Sequence, residues 1–274
     1  MKKPFSVPDD ARSSKLESFN KLLTIMNELR ENCPWDKKQT LETLRHLTIE
    51  EIFELSDAIL DGDMRQLKNE LGDLMLHVVF YCKIAEEDNE FHIGDMINNL
   101  CEKLIRRHPH IYGGTLAEDE DTVKANWEKI KLKENGNKSV LGGVPRALPA
   151  LVKAMRIQDK ARGVGFDWKD KSHVWDKVEE ELCEFKAEVN TKEKIIDKEK
   201  SQSEFGDLLF SLINYSRFLG INAEDALENT NRKFIERFQY LEKMSQREGK
   251  TLSEMSLEEM NSYWERAKNT SSKL

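Results

Sequence analysis

One sequence pattern occurs twice, and it fixes the periodicity of everything around it. Glu50-Glu51-Ile52-Phe53-Glu54 precedes Glu70-Leu71-Gly72-Asp73, and Glu180-Glu181-Leu182-Cys183-Glu184 precedes Glu204-Phe205-Gly206-Asp207. The offset between copies is 130 from Glu50 to Glu180, 134 from Glu70 to Glu204, and 130 again from Lys103 to Lys233. Self-similarity at one long period, with only loop-sized drift, predicts two tandem units of the same construction.

The units read as helical. Phe19, Leu22, Leu23, Met26 and Leu29 recur at helical spacing up to Cys33-Pro34, where proline discourages continuation. A second helix runs roughly from Thr40 to Leu60 and stops at Asp61-Gly62-Asp63. The third follows at once. Between Leu71 and Ile84 it is apolar on nearly every side, which predicts a rod surrounded by other helices. Two more helices, about 92–108 and 119–133, complete the first unit. Glycine and proline between Asn135 and Pro149 break the pattern. The expected organisation is a first unit at 14–134, a linker at 135–147 and a second unit at 148–270. No stretch alternates as a sheet strand would, so the fold class is all-α: two tandem four-helix-bundle-like units, each with an extra C-terminal helix.

Helical geometry gives the acids a common destination. Glu51 and Glu54 are one turn apart, as are Glu70 and Asp73. If the two helices pack antiparallel across their short connection, all four converge, and the same holds for Glu181, Glu184, Glu204 and Asp207. Acids beside an apolar rod are expensive unless a cation neutralises them. Glutamate pairs are common on solvated helix faces, but each pair here is coupled to an ExGD that opens an apolar helix, which a solvated face does not explain. Oxygen-rich ligation suits Mg²⁺, with Mn²⁺ as a substitute, better than zinc. Glu50 and Glu180 are placed to orient a ligand or act as a base. Gly72 and Gly206 weaken their helices by about 1 kcal/mol relative to alanine, which close helix approach would explain.

Lys103 with Arg107, and Lys233 with Arg237, place two cations on one helix face behind each acid pair, a spacing suited either to successive phosphates or to an ordinary salt-bridged surface. Trp127 and Trp264 close the units as packing anchors or base-stacking surfaces. Trp35-Asp36 and Asp167-Trp168 read as structural.

The net charge of −8 argues against attachment to a nucleic-acid polymer or an anionic membrane by a general positive field. Cys33, Cys82, Cys101 and Cys183 form no CxxC pair and read as buried free thiols. With no signal-like or membrane-spanning run, a cytoplasmic setting is expected. Phosphate loops, HExxH and nucleophile elbows are absent.

At these residues the chain resembles the MazG-type nucleoside triphosphate pyrophosphohydrolases, the tandem two-domain members of the all-α nucleotide pyrophosphatase superfamily. The resemblance extends to Cys33-Pro34-Trp35-Asp36, Arg106-Arg107-His108-Pro109-His110, Gly143-Val144-Pro145-Arg146, Leu148-Pro149-Ala150-Leu151 and Gly163-Val164-Gly165-Phe166-Asp167-Trp168. It implies Mg²⁺-dependent hydrolysis of nucleoside triphosphates, ATP included, between the α and β phosphates, tolerance of bases and sugars, and a homodimer. It further implies that the second unit is catalytic, with Glu180 beside the metal ligands Glu181, Glu184, Glu204 and Asp207, and with Lys233, Arg237 and Trp264 on the substrate. Glu51, Glu54, Glu70, Asp73, Lys103 and Arg107 form the corresponding set in the first unit, and its acids are intact. The competing expectation is a helical nucleotide-binding or dimerisation module without turnover.

Overall fold

The computed structural model describes residues 12–114, 119–134, 139–189 and 197–271. Most of the polar N-terminal arm and positions 135–138 of the inferred linker lie outside the described residues. Every regular element among them is helical. The helices are α1 (Arg12–Asn32), α2 (Leu41–Asp61), α3 (Met64–Glu87), α4 (Ile93–Arg107), α5 (Pro109–Tyr112) and α6 (Glu120–Glu134), followed by α7 (Ala150–Arg162), α8 (Lys171–Val189), α9 (Lys198–Phe218), α10 (Ala223–Arg247) and α11 (Leu257–Ser271). Packing separates the chain into two compact units, Met1–Val123 and Lys124–Leu274, a division that falls inside α6 and upstream of the 135–147 stretch. Among the described residues, no helix is long and apolar enough to cross a membrane.

In the first unit the α2–α3 hairpin is written into its turn. Thr40 opens α2 with a capping box shared with Thr43, and Gly62, at φ +66°, ends it in the left-handed conformation that glycine tolerates. Asp63 then accepts hydrogen bonds from the backbone of Arg65 and Gln66 and starts α3. With so short a connection the helices must run antiparallel. Glu54, eight residues before Gly62, and Asp73, ten after Asp63, therefore reach the same level. α1 closes the unit around Met26, Leu44, Val79, Phe80 and Ile84. Arg30 ties the end of α1 to Glu87 on α3 and donates to the carbonyls of Asp36 and Gln39, so one half-buried guanidinium holds three segments together.

In the second unit α8 packs on α9, α7 lies against α9, and α10 pairs with α11. Asp197 caps α9 as Asp63 caps α3, 134 residues earlier. Asn222 caps α10 as His92 caps α4, 130 residues earlier. Helix starts thus recur at the same offsets as the acids. Leu241, Met255 and Tyr263 form a small core where α10 meets α11.

Three expectations are corrected. The apolar α3 is covered on one face only: Val79 and Phe80 are buried, whereas Leu71 is 52% and Met75 45% exposed. Apolarity all round predicts burial without saying what provides it, and within this chain α1 and α2 cover a single side. The cysteines are free, but only Cys82 is buried; Cys33 is half-buried, and Cys101 and Cys183 are exposed on uncovered helix faces. Finally, a methyl group at Gly72 or Gly206 would meet nothing within 4 Å, so close approach inside the chain does not account for either glycine.

Candidate active site

Helical spacing brings together three of the four expected acids in each unit. Glu51, Glu70 and Asp73 bring one carboxylate oxygen each within 4.8 Å of the others, and Glu181, Glu204 and Asp207 do the same in the second unit. Adjacent ligands on an octahedral Mg²⁺ at about 2.0–2.1 Å stand roughly 2.9 Å apart, inside the span these oxygens already share. Glu54 and Glu184, the fourth acids of the pattern, stand outside these groups but act on one member of each. Glu54 shares a hydrogen bond with Glu70, and Glu184 acts on Glu204 as the strongest of its like-charged neighbours.

The electrostatics are those of crowded, partly dehydrated like charges. Loss of hydration pushes the Glu51 carboxyl above its ordinary value, and Asp73, Glu54, Glu70 and Glu50 add like-charge repulsion. Glu70 rises from the same loss of hydration, then from Glu54 and Asp73. Glu204 rises likewise, with Glu184, Asp207, Glu181 and Glu188 behind the loss of hydration. These donors are all hard oxygens, so the chemistry of both sets fits Mg²⁺ or Mn²⁺.

The second cluster has a resident cation that sequence reasoning missed. Lys177 Nζ stands 2.6 Å from Glu181 and 3.0 Å from Glu180, and these contacts hold its pKa well above the usual lysine value, the bond to Glu181 contributing most. The signal was available: Lys177 lies four residues before Glu181, one helical turn away. Counting back 130 positions, as from Glu180 to Glu50, puts Leu47 at the same place in the first unit.

The second cluster also opens on a cavity of about 710 Å³, whose walls include Lys177, Glu181 and Asp207 at one side and Gln158, Phe166, Trp168 and Phe210 elsewhere. Its size falls within the range of small-molecule sites, roughly 300–1,000 Å³. The turn carrying Phe166 and Trp168 is held by Arg217, which donates to both carboxylate oxygens of Asp167 and to Asn214. Asp167-Trp168, read from sequence as structural, is therefore both a strut and a cavity wall.

The basic and aromatic candidates form a different group. Arg237 lies 5.8 Å from the ring centre of Trp264, which also packs against Phe234 at 4.9 Å, while Lys233 is exposed on α10. None of Lys233, Arg237 and Trp264 lines the cavity beside Glu181 and Asp207. In the first unit Lys103 and Arg107 are half-buried on α4.

Paired helices that converge three carboxylates define a class of all-α proteins built around acidic helix hairpins. Within that class the affiliation is specific: the MazG nucleotide pyrophosphohydrolase domain matches residues 39–112, the segment holding the first acid set. A Thermotoga maritima protein named nucleoside triphosphate pyrophosphohydrolase/pyrophosphatase MazG is 45% identical over 254 residues, covering 91% of this chain and 95% of that protein. The Escherichia coli K12 nucleoside triphosphate pyrophosphohydrolase is 41% identical over 259 residues, covering 92% of this chain and 98% of its own length. Bacillus subtilis YabN is 44% identical over 256 residues, 92% of this chain and 52% of YabN. The chain belongs to the MazG nucleotide pyrophosphohydrolase family.

Proposed function

We propose that the chain is a tandem repeat of two MazG units that hydrolyses nucleoside triphosphates, ATP among them, to the monophosphate and pyrophosphate. The observation that carries this reading is the nucleotide-sized cavity opening directly on Glu181, Asp207 and Lys177. Glu181, Glu184, Glu204 and Asp207 would hold Mg²⁺, or Mn²⁺ in its place. The bound ion supplies neutralisation of the triphosphate oxygens and acidification of an attacking water.

The chain's own residues do the rest. Glu180, beside Lys177 at the cluster edge, is placed to accept the proton of the water that adds to the α-phosphorus as the bond to the bridging oxygen breaks. Lys177, once the acids are otherwise neutralised, is free to turn to the phosphates. Lys233 and Arg237, which the family resemblance puts on the substrate, lie outside this cavity and would have to reach the phosphates from its rim. The first unit keeps all its acids but has leucine at the Lys177 position, which supports ranking the second unit as the catalytic one.

A homodimer accounts for the large apolar side chains exposed on α9 and α10, Phe205, Leu209, Phe234 and Ile235 among them. The free thiols suit a reducing, cytoplasmic setting. The role is clearance or adjustment of nucleotide pools with broad base tolerance.

Two double variants decide the matter in one pyrophosphate-release assay with Mg²⁺ and mixed nucleoside triphosphates. Glu184→Gln/Asp207→Asn should abolish release, and Glu54→Gln/Asp73→Asn should leave most of it. Loss only in the second pair would move the active site to the first unit. Release of orthophosphate alone, or activity indifferent to EDTA, would overturn the reading altogether.

A further inference from the structure

A lysine is buried where the inter-unit segment enters the second unit. Lys160, on α7, is 7% exposed, and its Nζ donates to the carbonyl of Val140 at 3.2 Å. The partner is a backbone carbonyl of the 135–147 stretch rather than a carboxylate. A lysine taken out of water is costly unless its donors are met, so the bond calls for a reason. The first unit puts the cation at this place to another use. Counting back 130 positions, Lys160 corresponds to Arg30 and Arg217 to Glu87. Arg30 pairs with Glu87 and holds the loop after its own helix, through the carbonyls of Asp36 and Gln39. In the second unit the loop after α7 is held from α9 instead, by Arg217 on Asp167. The cation on α7 is thereby released from that loop, and it reaches back to the segment before its helix.

That segment packs with the second unit and carries a residue of its cavity. Leu141 is 45% exposed and lines the cavity that opens on Glu181 and Asp207. It sits in an irregular turn, where the Gly142 N–H donates to Ser139 Oγ and the Val144 N–H donates to the Leu141 carbonyl. These bonds shape the turn without attaching it to the helices. Two bonds from α7 attach it. Lys160 holds Val140, and Lys153, seven residues earlier and so on the same helix face, donates to the carbonyl of Arg146 at 2.8 Å. Of the two lysines, Lys160 is the one that acts on the residue next to Leu141.

We propose that Lys160 is a positioning residue: by fixing the Val140 carbonyl it sets Leu141 as a wall of the cavity, so the segment that joins the two units forms part of the second unit's substrate site. The proposal rests on the triphosphate hydrolysis put forward above and adds a residue that governs how substrate fits without touching the acids. Loosening the segment removes an apolar wall and leaves Glu181, Glu204 and Asp207 as they are. Substrate binding is therefore what Lys160 controls, and the chemical step is not.

The test reads the segment and the substrate separately. In Lys160→Met, which keeps the apolar stem, amide exchange followed by mass spectrometry should accelerate about tenfold at 139–147 and stay unchanged in α8 and α9. The KM for ATP should rise about fivefold with kcat within about twofold, the order expected from losing one half-exposed leucine from the wall. Affinity for α,β-methylene ATP, whose bridge between the α and β phosphates is not hydrolysed, should weaken by the same factor in calorimetry. Lys160→Arg, which keeps a donor, should stay near the unmodified protein in all three. Leu141→Ala should give the KM rise without the faster exchange, and adding Lys160→Met to it should raise KM no further, because the lysine acts through that leucine. Lys153→Met should speed exchange around Arg146 and leave KM alone. Unchanged exchange in Lys160→Met, a fall in kcat as large as the rise in KM, or effects of Lys160→Met and Leu141→Ala on KM that multiply, overturn the assignment. Leu141→Ala alters an exposed side chain, so it tests the wall whatever Lys160→Met does to folding, and an unmoved KM there overturns the assignment too. The expected pattern in exchange and analogue affinity, with no pyrophosphate released by any form of the protein, keeps the assignment and removes the hydrolase reading. Release whose KM ignores both substitutions does the reverse.

Discussion

Replacing Lys177 by methionine tests whether the second acid cluster is organised around exchangeable positive charge. Lys177 bridges Glu180 and Glu181, and the Glu181 side chain is only 9% exposed against 38% for the lysine. A hydrogen bond to a charged group contributes about 1.5–3 kcal/mol. Solvent around the half-exposed ammonium screens the pair and brings it just below that range, to about 1.4 kcal/mol. Methionine keeps most of the apolar stem while deleting the charge, which leaves Glu181 buried beside Glu204 and Asp207. In EDTA the variant should therefore lose about 1.4 kcal/mol. With saturating Mg²⁺ the ion performs the same neutralisation, and the loss should shrink to near zero. Linkage converts that difference into affinity: the variant should bind Mg²⁺ about tenfold more tightly than the unmodified protein. Urea unfolding followed by circular dichroism, with and without Mg²⁺, and calorimetric Mg²⁺ titration measure the two sides of the cycle. A loss of stability that is the same in EDTA and Mg²⁺, together with an unchanged Mg²⁺ affinity, would refute competition between Lys177 and a metal for these acids.

Three further outcomes are expected. Because Glu51, Glu70 and Glu204 are held above the ordinary carboxylate value of 4.5 in the folded chain, they keep protons that the unfolded chain has released. Metal-free stability should thus fall as pH rises from 4.5 through their raised values, and Mg²⁺, which needs them ionised, should reverse the slope in thermal melts. Gly206→Ala gains about 1 kcal/mol of helix propensity and meets nothing in the chain, so it should stabilise a monomer; destabilisation, or loss of a dimer by sedimentation, would locate a close contact from a second copy at α9. Arg217→Met should free the Phe166–Trp168 turn and raise KM with kcat within about twofold, since the clamp orders the cavity wall without touching the acids; an equal fall in both would refute that separation.

What the sequence revealed depended on how far apart the interacting residues are. The α2–α3 hairpin is legible because Thr40, Gly62 and Asp63 act on the backbone within a few positions. The acid clusters are legible for the same reason: one-turn spacing on two helices joined by a short turn leaves little freedom. Gln158 was not legible. Its place in the cavity wall comes from Phe210, 52 residues away, whose carbonyl accepts from the amide Nε2. The exposed faces of α3 and α9 show the opposite limit. Leu71, Met75, Phe205 and Leu209 have the pattern of core residues, and hydrophobic periodicity carries no information on whether the covering surface belongs to the same chain.

The duplicated acids are alike in position and unlike in setting, and the difference bears on why two copies persist in one chain. In the first unit, Glu51 and Glu70 are both pushed toward protonation, and the residue one turn before Glu51 is Leu47, which offers no charge. In the second, Lys177 occupies that place and already pairs with Glu181. A lysine that neutralises its acids until an ion arrives is then left with an ammonium to direct at phosphate, so binding of metal and of substrate become linked through one side chain. Leucine permits no such exchange. On the proposed reading, the same ligand geometry would couple a cation to an anion in the second unit and answer a cation alone in the first. Introducing Leu47→Lys should move the first cluster toward the second. Its Mg²⁺ affinity should weaken about tenfold, by the reverse of the Lys177→Met cycle, and an affinity unmoved by the new ammonium would show that the two settings differ in more than this residue.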